Sequence, residues 1–204
     1  MWRTILPVMD KETTIEPQNP TPQQKKGSNF FVEILKFTLV AVVIVIPFRF
    51  YIAQPFVVSG ASMDPAFETG EYLIVDQLSH RVEKPVRESV VIFKYPKDTT
   101  KFFIKRVIGL PGETVEVHGT KVTIKNAEHP EGFVLDEPYV TPKNEKQDEI
   151  VVTLKHDEYF VMGDNRNGSS DSRMWGPVDE KLIIGRPFIR LLPVKRISVF
   201  PGNE

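Results

Sequence analysis

The chain has 204 residues and a mass of 23.3 kDa, enough for one membrane segment plus one domain with a core of its own. Its 26 Lys+Arg against 27 Asp+Glu give a net charge of -1, which leaves no broad basic field to hold a nucleic-acid backbone, so no nucleic-acid partner is expected. The absence of Cys excludes disulfides and thiolate metal sites, while 17 Pro and 12 Gly favour a turn-rich, strand-rich chain, because helix interiors tolerate neither.

In chain order, residues 1–28 are polar, carry Pro17, Pro20, Pro22, Lys25 and Lys26, and show no apolar period, which predicts a disordered leader. Residues 29–52 hold the one membrane candidate, with an uncharged core from Phe37 to Phe48. That core is shorter than the roughly 20 residues of a full span, so a buried strand or core helix is the competing reading. Lys36 and Arg49 can snorkel to the two interfaces, and Phe30, Phe31, Phe48, Phe50 and Tyr51 supply apolar or amphipathic ends, which favours a transmembrane anchor. Basic residues concentrate before the run (Lys25, Lys26, Lys36) rather than after it (Arg49), placing the amino end in the cytoplasm and residues 53–204 outside. A cleavable signal is disfavoured by the late start of the run and by bulky Tyr51 two positions before Ala53.

From Pro55 onward short apolar-alternating runs follow one another. Val57-Val58, Tyr72–Val75, Ser89–Phe93, Phe102–Ile108, Thr114–Val117, Lys121–Ile124, Ile150–Leu154, Tyr159–Met162 and Ile183–Leu191 read as strands, with turn signals such as Gly60, Pro111-Gly112 and Asn167-Gly168 between them. The polar, Pro-containing stretch 126–147 reads as a surface excursion rather than core. No long amphipathic helix and no internal repeat is present.

Three stretches could carry chemistry. In Val57-Val58-Ser59-Gly60-Ala61-Ser62-Met63-Asp64-Pro65 a strand leads through small residues to Ser62, an open approach that an attacking hydroxyl needs, although an ordinary turn serine looks the same. In Phe102–Gly112, strand alternation puts Phe103, Lys105 and Val107 on one face and Ile104 with Arg106 on the other. Lys105 there is either an edge residue that snorkels or an amine desolvated enough to act as a base near neutrality. In Phe160–Val178 the density of Gly, Asn, Asp and Ser after an apolar strand marks a loop ordered by side-chain-to-backbone hydrogen bonds. Asp164 and Asp171 fit no calcium-loop spacing, and His80, His118, His129 and His156 sit in polar or turn-like contexts that match no triad, so neither a metal nor a cofactor is expected.

Together, in this order, Ser62-Met63-x-Pro65, Phe93-Lys94-Tyr95-Pro96 leading to Ile104–Gly112, and the Gly163–Arg173 loop with Trp175-Gly176 resemble the bacterial type I signal peptidases. The resemblance implies a mainly β fold: a large antiparallel catalytic sheet with a smaller β insertion near 114–154, preceded by one amino-terminal transmembrane helix. It implies Ser62 as nucleophile and Lys105 as general base, Ser169 orienting the lysine, and Asp171 with Arg173 as a buttressing ion pair. Gly60 stands where some members have a hydroxyl that helps hold the oxyanion. Val58, Met63, Phe67 and Ile104 would bound shallow pockets for a small-x-small motif. The implied partners are preprotein signal peptides and membrane lipid, with the secretion translocon a further candidate, and the implied location is the cell membrane. Two departures stand out: Phe67 where the family commonly has Leu, and Glu88-Ser89 where Gly-Asp usually precedes the Val90–Phe93 run. The alternatives are a Ser-Lys autoprotease of the SOS-repressor type and a non-catalytic membrane-anchored β scaffold.

Overall fold

The computed structural model describes residues 27–47, 53–140 and 147–202. The leader lies almost wholly outside the described residues, as do positions 48–52 of the expected anchor. The anchor segment forms helix α1, Gly27–Pro47, whose apolar side chains face outward: Phe31 is 75% and Phe37 82% exposed. Among the described residues no helix is long and apolar enough to cross a membrane.

The remaining described residues form two antiparallel sheets. The larger takes its strands in the order β1 (Ala53–Val57), β2 (Tyr72–Asp76), β11 (Ile183–Leu192), β3 (Val90–Tyr95), β4 (Asp98–Gly109), β9 (Glu158–Met162) and β10 (Val178–Asp179), with β12 (Ser198–Val199) also on β11. The smaller runs β7 (Phe133–Val134), β6 (Lys121–Lys125), β5 (Thr114–Gly119) and β8 (Asp148–Thr153). Eight of the nine predicted runs lie in strands apart from the end residues Ser89 and Leu154, whereas Val57-Val58 meets a strand only at Val57, the last residue of β1; the alternating burial of β2, β5 and β6 matches sheets with one face on the core. Strand β3, held between β11 and β4, is continuously buried over Val90–Phe93, so its run of apolar residues needs no alternation.

One core cluster joins the sheets: Ile108, Phe160 and Met162 from the larger meet Val115, Val117, Val122 and Ile124 from the smaller. Each such side chain, fully buried, contributes roughly 1.5–3 kcal/mol. The 126–147 stretch corrects the expectation of a surface excursion. It supplies β7 and the buried Leu135, and Tyr139 packs on the same cluster, because a few apolar residues among polar ones suffice to dock a loop. Positions 141–146 lie outside the described residues.

Candidate active site

Strand β1 ends at Val57, and the next residues turn back on the sheet: Val58 N–H donates to Glu71 O and Gly70 N–H to Val58 O, both at 2.9 Å. Gly60 sits at φ +93, a conformation that a side chain would strain. Ser62 follows, just before a helical turn closed by Phe67 N–H to Met63 O at 2.9 Å. On one helical turn Met63 and Phe67, four apart, point the same way, and both are fully buried with Leu73 and Val90.

Strand β4 brings Lys105 across from this turn. Its Nζ donates to Ser62 Oγ at 2.8 Å and to Ile104 O at 2.9 Å, and lies 5.4 Å from the centre of the Phe103 ring. Lys105 is 4% exposed. Burial pulls its pKa from 10.5 down to about 8, against the opposing pull of the Asp171 and Asp164 carboxylates. An amine with that pKa beside a serine hydroxyl is free base for a useful fraction of its time at mildly alkaline pH, so it can remove the hydroxyl proton.

The loop after β9 supports both residues. Gly163 is packed so closely that an added Cβ would collide with the Ser62 carbonyl and the Ser169 hydroxyl, so nucleophile turn and loop meet at that glycine. Ser169 Oγ is buried close against Gly163 and beside the Asp171 carboxylate, whose pKa the hydroxyl helps to lower. Asp171 receives Gly163 N–H at 3.1 Å and a bidentate pair from Arg173, both bonds at 2.8 Å. Burial pushes the Asp171 carboxyl up most strongly, yet Arg173, the Ser169 hydroxyl and the Gly163 N–H together outweigh it and the net direction is down. Arg173 also reaches Asp148 at 2.6 Å and Arg166 O at 2.8 Å.

Three further buried pairings were not foreseen in the sequence. Arg106 grips Asp164 through bonds of 2.8 and 2.7 Å, and Arg166 grips Glu137 while its Nε donates to Gly163 O at 3.0 Å. The signal for the first was present: alternation already turned Arg106 to the face opposite Lys105. Asp164 is pushed up by burial in spite of Arg106. Beneath the Ser62 turn, Glu71 meets Arg190 and Arg196 at 2.9 Å each, and Arg190 also donates to Ala66 O at 2.6 Å.

A cleft of about 280 Å³ opens over the pair, lined by β1 and the turn from Phe56 to Ser62, by Phe102–Lys105, by Leu73 and Ile92, and by Gly168 with Ser170. Of the expected pocket residues, Val58 and Ile104 line it. Met63 and Phe67 do not: the helical turn carries them into the core behind it. Leu73 and Ile92 are lining residues that strand patterning marked only as core. Among the described residues no histidine lines the cleft. His118 pairs with Glu149 on the surface, and His129 meets Phe133 edge to face.

Residues 31–192 match the family described as signal peptidase, peptidase S26. The chain belongs to that family. It is 34% identical to the probable signal peptidase I-2 of Synechocystis over 95% of this chain and 85% of the relative. It is likewise 34% identical to the signal peptidase I of Leptolyngbya laminosa, over 89% of this chain and 90% of that one. A solved signal peptidase I of Enterococcus faecalis is 31% identical, covering 51% of this chain and 97% of its own, with a TM-score of 0.43. This family member is thus a serine endopeptidase of the signal peptidase I type, and the repressor-type and scaffold alternatives fall away.

Proposed function

We propose that this peptidase cleaves amino-terminal signal peptides from exported preproteins after a small-x-small motif, with Ser62 as nucleophile and Lys105 as its base. The observation that carries this reading is the 2.8 Å contact between buried Lys105 Nζ and Ser62 Oγ at the floor of an open cleft. Lys105 as free amine takes the Ser62 proton while Oγ attacks the scissile carbonyl. The resulting ammonium returns a proton to the leaving amine as the acyl-enzyme forms, and Lys105 next activates the water that releases the signal peptide. An ammonium has three protons and two are placed on Ser62 Oγ and Ile104 O, so the buried hydroxyl of Ser169, which can accept from Lys105 while it donates to Asp171, is assigned as the third partner.

The substrate would lie extended between two strand edges. Among the described residues, strand β1 pairs only with β2, and β4 pairs with β9 only from Arg106 onward, so Phe102–Lys105 keeps one edge open toward the cleft. Main-chain pairing to these edges supplies affinity, while apolar Val58, Leu73, Ile92 and Ile104 in the cleft lining would favour small apolar side chains.

The outward apolar surface of α1 supports the anchor: with the apolar sequence to Tyr51 it would cross the membrane, amino end in the cytoplasm and sheets outside, beside the substrate's own apolar stretch. Membrane lipid is then a direct partner, and the secretion translocon a neighbour that delivers substrate. Cleavage of a preprotein by the full chain in detergent tests the reading. The parent chain should give one new amino terminus after a small residue, and Ser62→Ala none. Equal cleavage by Ser62→Ala would overturn it.

A further inference from the structure

The loop that follows β9 reaches the nucleophile turn through one residue that the dyad does not use. Asn165 donates from its backbone N–H to Ser62 O at 3.1 Å and from its side-chain Nδ2 to Ala61 O at 3.0 Å. Its Oδ1 accepts from Gly168 N–H at 3.1 Å. The amide is oriented without ambiguity, because one neighbour is a carbonyl that can only accept and the other an N–H that can only donate. Asn165 therefore grips the carbonyls on both sides of the Ser62 backbone.

The consequence for chemistry comes from the peptide plane. The Ala61–Ser62 bond is trans, so the Ala61 carbonyl and the Ser62 N–H point in opposite directions. Holding Ala61 O against the loop turns Ser62 N–H away from the loop. Among the described residues that N–H has no backbone or side-chain acceptor, while Gly60, Ala61 and Ser62 all line the cleft. The other bond on Ala61 O is the long turn contact from Asp64 N–H at 3.3 Å, too weak alone to fix the plane of a flexible, glycine-led turn.

We propose that Asn165 is a positioning residue for oxyanion stabilisation: its side-chain amide fixes the Ala61–Ser62 peptide so that Ser62 N–H is held ready for the negative oxygen of the tetrahedral intermediate. The proposal rests on Ser62 being the nucleophile. It gives a task to a side chain that touches neither Lys105 nor substrate, and it explains how a turn with Gly60 at the place of a hydroxyl donor keeps its remaining backbone donor in line. Preorganised donors of this kind typically account for about 10²–10³ in kcat.

The test compares Asn165→Asp and Asn165→Ala with the parent in the full-length chain. Asn165→Asp keeps the acceptor for Gly168 N–H at nearly the same volume but removes the donor to Ala61 O, and Asn165→Ala removes both without adding charge. Turnover of a preprotein with an Ala-x-Ala cleavage site should fall about 100-fold in both, with KM changed less than threefold and melting temperature of the alanine variant little altered. Affinity for a peptide aldehyde of the same sequence, whose hemiacetal oxygen occupies the oxyanion position, should fall in parallel with turnover. Affinity for the corresponding uncleavable peptide alcohol should hold. The acidic limb of the alanine variant's pH profile should not move, because Lys105 is untouched. Turnover within twofold of parent, equal weakening of aldehyde and alcohol, or a displaced acidic limb would each overturn the proposal. If the aspartate variant does not fold, the alanine variant alone decides. Cleavage by Ser62→Ala, measured alongside, would instead bring down the dyad on which the proposal stands.

Discussion

The two sheets are stabilised in different ways. The smaller sheet meets the larger through an apolar cluster of Val, Ile, Leu and Phe side chains, and its surface pairs, such as His118 with Glu149, are exposed. Around the Ser62 turn the larger sheet and its loops bury charge instead, Arg106 with Asp164, Arg173 with Asp171 and Arg190 with Glu71, where half-buried Arg196 joins; Arg173 and Arg166 also reach across to half-buried Asp148 and to Glu137 beside the smaller sheet. Apolar packing tolerates small shifts, whereas a bidentate pair fixes direction as well as distance. Charge is buried where position matters, and one positive group among these is left without a carboxylate of its own: Lys105, whose hydrogen bonds go to a hydroxyl and a backbone carbonyl.

The largest expected effect comes from removing that group. Lys105→Met should abolish cleavage, with a loss of at least a thousandfold, yet it should stabilise the fold. A lysine at about 8 when folded and 10.5 when unfolded carries a penalty of about 3 kcal/mol at pH 7, since one unit corresponds to about 1.4 kcal/mol. The sign follows from proton counts: between pH 8 and 10.5 the unfolded chain holds a proton that the folded chain has released, so stability rises with pH in that window. Urea unfolding at several pH values should show the rise in the parent and its loss in Lys105→Met. In the parent, kcat/KM should climb through about pH 8 as the free amine forms. A flat activity profile from pH 6 to 10 would contradict Lys105 as the base.

Next in size are two substitutions that separate the regions. Arg173→Ala strands the Asp171 and Asp148 carboxylates and should lose about 3–5 kcal/mol, the usual result of breaking a buried pair from one side. Ile124→Ala in the apolar cluster should lose about 2–5 kcal/mol as well. Activity per folded molecule tells them apart: it should drop at least tenfold for Arg173→Ala, because Asp171 orders the loop holding Gly163, and stay near parental for Ile124→Ala. Equal turnover in both, corrected for folded fraction, would mean that the charged region is merely stable.

A smaller effect is expected from Ser169→Ala, which removes the hydroxyl assigned to Lys105. Turnover should fall about tenfold with little change in stability, and Ser170→Ala, on the exposed rim of the cleft, should do less than half of that. Similar losses for both would withdraw the assignment of Ser169.

Legibility in the sequence follows the same division. Strand periodicity exposed the sheets, because each long strand carries four or more residues of pattern, while β7, β10 and β12 are two-residue pairings with no period to read. Ser62 and Lys105 were legible through motif resemblance and are brought into contact by folding. The positions of Met63 and Phe67 were not legible, since the helical turn that buries them is a tertiary outcome of the Ser62 loop. Glu137 was hidden for a related reason: nothing in a polar stretch shows which acid will meet a buried arginine some thirty positions away, here one separated by 29.

The smallest prediction concerns a seam between the regions. Glu88 takes φ +69, in the left-handed region that costs a residue with a Cβ roughly 1–2 kcal/mol, and its exposed side chain has no packing to offset that strain. The backbone is held there from both sides: Glu88 N–H donates to Val107 O at 2.8 Å, and Glu88 O accepts from Arg106 Nη1 at 2.7 Å. The arginine that fixes Asp164 therefore also fixes this turn. Glycine, the residue that resembling chains carry here, adopts the conformation without strain but adds freedom to the unfolded chain, which takes back part of the gain. Glu88→Gly should accordingly stabilise by about 0.5–1 kcal/mol in urea, and Glu88→Ala should not. Cleavage should be unchanged in both, because the Arg106 bond is made to a backbone carbonyl that either variant keeps. If Glu88→Gly is destabilising, the strain is not real, and Arg106 would be holding a turn that prefers its conformation unaided.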